Sequence, residues 1–265
     1  MGDDPNPLPS YTMPPVAEVV CGFQYSTPLL VGLQQMLNIW ASFSDRYPTL
    51  DEHPPLPRLS TEQDLQPQFE ILQNVPYLPR LWFSRADSGD LVQFQRDRLI
   101  FNWRKTSESD QYLRFQKYVK PNMIDAHDRL VQALNLLEVE EPPIDAFEVA
   151  YVNPIPLGPD DDFSTVLRTL RPSSEGGFLS RPEGLQMQLN YPMRDVNGGL
   201  GINVQSAVRK ADDVATVLVQ LTVRGRVDGT YDDFVRCVGV AREWIVRGFT
   251  DMTTEEMHTR WGLES

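Results

Sequence analysis

Ala17-Glu18-Val19-Val20 and Phe147-Glu148-Val149-Ala150 open two stretches of this 265-residue chain that read in the same order: strand, helix, strand hairpin, long helix. A unit of that kind can bury its sheet only against its own helices or against a second copy of itself. The order predicts an α+β fold of two related halves, pseudo-duplicated, each an antiparallel sheet with two helices. The expected boundaries are a mobile N-terminal arm over residues 1–15, a first α+β half over 16–145 and a second over 146–265, the halves packing as one unit.

Working outward from the first of these segments, a strand runs from Glu18 to Tyr25. Leu29, Leu33, Met36, Leu37, Trp40 and Phe43 then recur at helical spacing, a core-facing stripe that ends before Tyr47-Pro48. The proline-rich stretch from Pro48 to Pro79 predicts a connection draped over the surface. Leu81–Arg85, Leu91–Gln95 and Arg98–Arg104 predict a three-stranded meander with turns at Asp87-Ser88-Gly89-Asp90 and Arg96-Asp97. After it, Pro121 suits the first turn of a helix whose inward stripe reads Ile124, His127, Val131 and Leu134.

From the second segment, a strand covers Ala146 to Asn153, and a helix is expected after Gly158-Pro159, with Asp160 to Asp162 at its positive end. Strands follow at Leu185–Tyr191, Leu200–Val208 and Val214–Arg226. A helix from Tyr231 to Gly248 carries the stripe Phe234, Val238, Ala241, Ile245 and Phe249, and Thr253 with Glu256 predicts a capping box for a short last helix.

Asp and Glu number 37 against 24 Lys and Arg, a net charge of −13. The excess is shared, with 20 acids and 12 bases through Asp145 and 17 and 12 after it, so neither half is basic. Nonspecific nucleic-acid binding, which rests on many phosphate contacts, is disfavoured by this balance. No apolar run reaches transmembrane length and the N-terminus lacks the basic and apolar regions of a signal peptide, which predicts a cytoplasmic protein with no membrane partner. Cys21 and Cys237 are expected to be buried free thiols.

Alternation along the meander sets Val92, Phe94, Leu99, Phe101 and Trp103 on one side and Gln93, Gln95, Asn102 and Arg104 on the other. Amides and a guanidinium from adjacent strands suit recognition of a planar polar group, and the aromatic and basic segment Tyr112, Arg114, Phe115, Lys117 and Tyr118 is a candidate anchor beside them. These residues, Gln93, Gln95, Asn102, Arg104, Tyr112, Arg114 and Tyr118, form the candidate binding site; a solvated face or an internal network would leave the same pattern. Glu18 and Glu148 hold equivalent places and would serve acid–base chemistry only if the fold brought them together. No Gly-x-Ser-x-Gly turn, phosphate-cradling loop or histidine at metal-ligand spacing is present, so no catalytic residue, metal or cofactor is assigned.

Pro14-Pro15-Val16-Ala17-Glu18-Val19-Val20, the Gln-x-Gln and Asn-Trp-Arg of Leu91 to Lys105, Glu148 to Asn153 and the final Trp261-Gly262 together make the chain resemble a sporadically distributed prokaryotic family of uncharacterised proteins of about this length. The resemblance implies no particular activity; its patchy distribution implies genes that move, as defence and toxin–antidote genes do. The expected function is noncatalytic recognition or neutralisation of a protein partner in the cytoplasm. The alternatives are a nucleic-acid or nucleotide-binding module using the meander's polar face and, third, a hydrolase with a dispersed site. A homo-oligomer is compatible with all three.

Overall fold

Rows of alternating apolar and polar residues build almost the whole architecture. The computed structural model describes residues 7–59, 78–170, 178, 182–209 and 213–264. In chain order its elements are β1 (Ser10–Tyr11), β2 (Glu18–Tyr25), α1 (Leu33–Ala41), β3 (Thr49–His53), β4 (Arg80–Ser84), β5 (Leu91–Gln95) and β6 (Arg98–Arg104). A π-turn over Phe115–Val119 leads into α2 (Lys120–Leu136), followed by β7 (Ile144–Pro156), α3 (Phe163–Val166), β8 (Gln186–Met193), β9 (Gly198–Arg209) and β10 (Val214–Gly229). The chain closes with α4 (Tyr231–Met252), α5 (Glu255–Trp261) and β11 (Leu263–Glu264).

Nine strands form one sheet in the order β3-β4-β5-β6-β2-β7-β10-β9-β8, and every neighbouring pair is antiparallel. Outward from the central β2–β7 pair, one side runs β2, β6, β5, β4 and the other β7, β10, β9, β8, with β3 an additional edge strand on the first side. The fold is thus α+β with an antiparallel sheet.

The helices lie on one face. Phe23 of β2 meets His127 of α2 at 5.6 Å and Phe234 of α4 at 5.3 Å between ring centroids, and Phe43 just beyond α1 meets Phe83 of β4 at 5.2 Å. This layer buries Val19, Cys21, Val92, Phe101, Phe147, Val219 and Ile245 in one continuous core. Both cysteines are buried and free, and burial pushes their thiols up, Cys21 to about 12 and Cys237 to about 11.

Several expectations change in detail. From Ser10 onward the N-terminal arm is tied down: β1 pairs with β11, and Tyr11 is buried against Phe249 and Trp261. The first helix begins at Leu33 rather than Leu29, leaving Leu33 exposed and Trp40 only half-buried, its indole N–H donated to the Tyr47 carbonyl at 3.2 Å. The buried stripe of α2 is Met123, Ala126, His127, Leu130, Ala133 and Leu134, so Ile124 and Val131 flank it. The helix expected after Gly158-Pro159 is the single turn α3, where Asp162 is the N-cap and accepts from Ser164 and Thr165 N–H groups. Thr254, not Thr253, caps α5, its hydroxyl accepting from Met257 N–H. Of the proline-rich connection, residues 48–59 are described and include β3; the expectation for the remainder up to 77 lies outside the described residues. Among the described residues no helix is long and apolar enough to cross a membrane.

Candidate recognition surface

Strand register decides what the other face of the sheet presents. Pairing Glu18 with Arg104, Leu91 with Asn102, Gln93 with Ile100 and Trp82 with Gln93 places these residues on the face opposite Val92, Phe94 and Phe101. Among the described residues no helix lies over it.

Arg80, Gln93, Asn102 and Glu18 are joined in a row across four strands. Arg80 donates to Gln93 Oε1 at 2.7 Å, the Gln93 amide to Asn102 Oδ1 at 2.7 Å, and the Asn102 amide to Glu18 Oε1 at 2.7 Å. Each amide passes donor character from the cationic end to the anionic end, so the row is internally matched. Gln93 and Asn102 are buried.

Gln95 has a different partner. Its Oε1 accepts from Leu56 N–H at 2.8 Å and its amide donates to the Leu56 carbonyl at 3.0 Å and to Asp97 at 2.8 Å. Gln24, on β2, accepts from Leu59 N–H at 2.8 Å and from Arg98 at 3.0 Å, and Arg98 also donates to the Pro57 carbonyl at 2.7 Å. These side chains satisfy the backbone of 56–59 as a neighbouring strand would, and pin it to the sheet. Gln95 is therefore buried in an internal network, one of the alternatives that the alternating pattern left open.

Arg104 and Arg80 stand over the ring of Trp82, 5.7 and 5.4 Å from its centroid, and His53 stacks on the same ring at 3.7 Å. Arg104 thus belongs to a half-buried aromatic cluster at the outer part of the meander.

The aromatic and basic segment lies on the opposite side of the sheet from the polar row. Tyr112 packs against Trp103 and Tyr151, whose side chains point into the helix layer, and its hydroxyl meets that of Tyr151 at 2.9 Å. Arg114 donates to Ser10 Oγ at 2.9 Å and holds β1; Tyr118 donates to Asp90 at 2.6 Å, and burial with that bond pushes its phenol up to about 12. The sequence order suggested one surface, but alternation sends Asn102 and Trp103 to opposite faces, and the chain follows Trp103. These three residues are structural contacts of the arm, the helix layer and the turn before β5.

Glu18 and Glu148 do not form an acid–base pair. Glu18 is opposite Val152 and Glu148 opposite Gly22, an offset of four residues or about 13 Å along the strands. Glu148 is instead bound by Arg224 of β10. Asp145, where the β7 register shifts, takes Arg226 at 2.6 Å and Arg58 at 3.5 Å. His127 contacts Glu141 at 2.9 Å, with Tyr25 donating to the same carboxylate oxygen at 2.7 Å. Among the described residues no group of three or more His, Cys, Asp or Glu side chains is placed to hold a metal.

The part of this face not anticipated lies beyond β7. Gln186, Gln188 and Asn190 on β8, Asn203 and Gln205 on β9 and Gln220 on β10 share it through the pairs Gln186–Gln205, Gln188–Asn203 and Gln220–Asn203. All but half-buried Gln220 are exposed. The signal was present in the sequence as Gln-x-Gln-x-Asn and Asn-x-Gln at strand period, on two adjacent strands. No family model and no curated protein matches the chain.

Proposed function

We propose that the chain is a noncatalytic recognition protein that binds another protein through the amide-rich end of the sheet face opposite the helix layer. The observation that carries this reading is the exposed cluster Gln186, Gln188, Asn190, Asn203 and Gln205. Every amide offers donors and acceptors together, which matches peptide groups and polar uncharged side chains. Charge favours a protein over a nucleic acid. Arg224 is paired with Glu148, Arg226 with Asp145 and Arg98 with Asp97, so these cations of the face are already compensated, whereas phosphate binding draws on cations that exchange small counterions for phosphates.

The matched outward order of β2-β6-β5-β4 and β7-β10-β9-β8 supports reading the chain as one unit written twice, with the second copy specialised for binding. A defence or toxin–antidote setting, and a place in the cytoplasm, rest on the family resemblance and on the composition alone.

The test is a pull-down from the native host with the intact chain and with a Gln188→Ala, Asn203→Ala, Gln205→Ala variant, each with and without nuclease. Exposed polar truncations shift stability by about 0.5 kcal/mol or less each, so the variant is expected to melt like the parent while losing a specific protein partner. Undiminished capture by the variant would reject this surface, and capture abolished by nuclease would favour the nucleic-acid reading.

A further inference from the structure

On the helix side of the sheet, away from the amide face, a cavity of about 70 Å³ lies between the N-terminal arm, β7 and α4. Its polar lining includes Tyr112, Tyr151, Asn153 and Arg242, together with Ser10 and Arg114, which bond each other and are already engaged with Glu264, and Ile245 and Phe249 are among its apolar walls. A water-sized sphere needs about 10–15 Å³ of such space, so the cavity holds a few waters or one small ion of a few heavy atoms.

The lining has more donors than acceptors. The two tyrosine hydroxyls share one hydrogen bond at 2.9 Å, which uses one of their two protons, and the Tyr112 oxygen is also met by the Phe115 backbone, so the second phenolic proton remains to be donated. Asn153 gives one amide proton to the Val219 carbonyl at 3.1 Å and retains a second. Arg242 is half-buried, and its Nε–H is fully buried with no acceptor among the described residues. A buried donor left without an acceptor is costly. Both phenols stay protonated at neutral pH, since burial pushes Tyr112 up to about 12 and raises Tyr151 well above the ordinary phenol value, although Arg242 favours the ionised form of each.

We propose that this cavity is a binding site for a small oxyanion, a phosphate or carboxylate group, with Arg242 supplying the charge and the Tyr112–Tyr151 pair and Asn153 supplying neutral donors. An acceptor-only guest of negative charge answers each surplus at once. Arg114, tied to Ser10 at 2.9 Å, holds the arm that forms one wall, so occupancy and docking of the arm are coupled.

Calorimetric titration of the intact chain with sodium phosphate and, separately, sodium acetate, at ionic strength fixed with sodium chloride, reads the site directly. The expected result is saturable binding at one equivalent per chain for at least one anion, with a matching rise in melting temperature. Arg242→Gln is expected to abolish both, and Arg242→Lys, which keeps the charge without the planar fork, to weaken binding at least tenfold. Phosphate alone, or acetate alone, identifies which oxyanion geometry is accepted. No saturable heat with either anion, or equal binding by the parent and Arg242→Gln, overturns the proposal; if Arg242→Gln does not fold, equal binding by Arg242→Lys and the parent does so.

Discussion

The guanidinium of Arg98 is fully buried on the face opposite the helix layer, held by the neighbouring carboxylate of Asp97 at 3.1 Å, by Gln24 and by the Pro57 carbonyl. Removing one member of a buried ion pair leaves the other uncompensated, at about 3–5 kcal/mol. Arg98→Met is therefore expected to lower unfolding free energy by about that amount in urea titration; a loss below about 1 kcal/mol would show that Asp97 finds water or another donor. Gln95 acts on the same segment more gently. Gln95→Ala leaves the Leu56 backbone groups without their partner, and trypsin is expected to cleave after exposed Arg58 several-fold faster than in the parent. An unchanged cleavage rate would mean that Arg98 and Gln24 hold 56–59 unaided. Alternation told the face of Gln93 and Gln95 correctly, but not their partners: Gln95 bonds a residue 39 positions away in a proline-rich stretch, and no local pattern carries that contact.

At the scale of elements, residues with a strong strand or helix period were legible and those ruled by a single turn were not. β5, β6, β9, β10 and α4 fall close to the residues their apolar spacing defines, because each buries a long row of side chains. The α3 segment had acids suited to a helix start but too little apolar stripe behind them, and it stops after one turn. Close packing between β2 and β6 depends on one glycine. A Cβ on Gly22 would lie 2.7 Å from the Leu99 carbonyl oxygen and 2.9 Å from the Ile100 Cα, both backbone atoms that cannot swing aside. Gly22→Ala is expected to destabilise by about 1–3 kcal/mol through forced separation of the two strands, read as a fall in melting temperature. A melting temperature within a degree of the parent would show that the sheet's twist absorbs the methyl group.

Across the whole molecule, two routes from pH to stability oppose each other. Acidification relieves the self-repulsion of a chain with net charge −13, yet it also protonates groups that the fold prefers unprotonated. Burial, aided by the charge of Arg168, holds His258 below its ordinary value of 6.5, so the unfolded chain takes that proton first and stability declines as pH falls from 6.5. Burial raises Glu141, but the hydrogen bonds from His127 and Tyr25 outweigh it and leave the carboxyl below its ordinary 4.5. Its contribution is present above 4.5 and is lost as pH falls through the lower folded value. Both groups are held in specific buried or part-buried contacts, Glu141 joining Tyr25 of β2 to His127 within α2 and His258 meeting the Thr253 hydroxyl just before α5, whereas the repulsion is spread over a surface where many carboxylates already have arginine partners. The specific contacts are expected to win: urea midpoints should fall modestly between pH 7 and 5.5 and more steeply below 4.5. Glu141→Gln should flatten the lower limb and His258→Gln the upper one. A midpoint that instead climbs steadily as the pH is lowered from 7 to 4.5 would mean that relief of charge repulsion outweighs the loss of these two contacts.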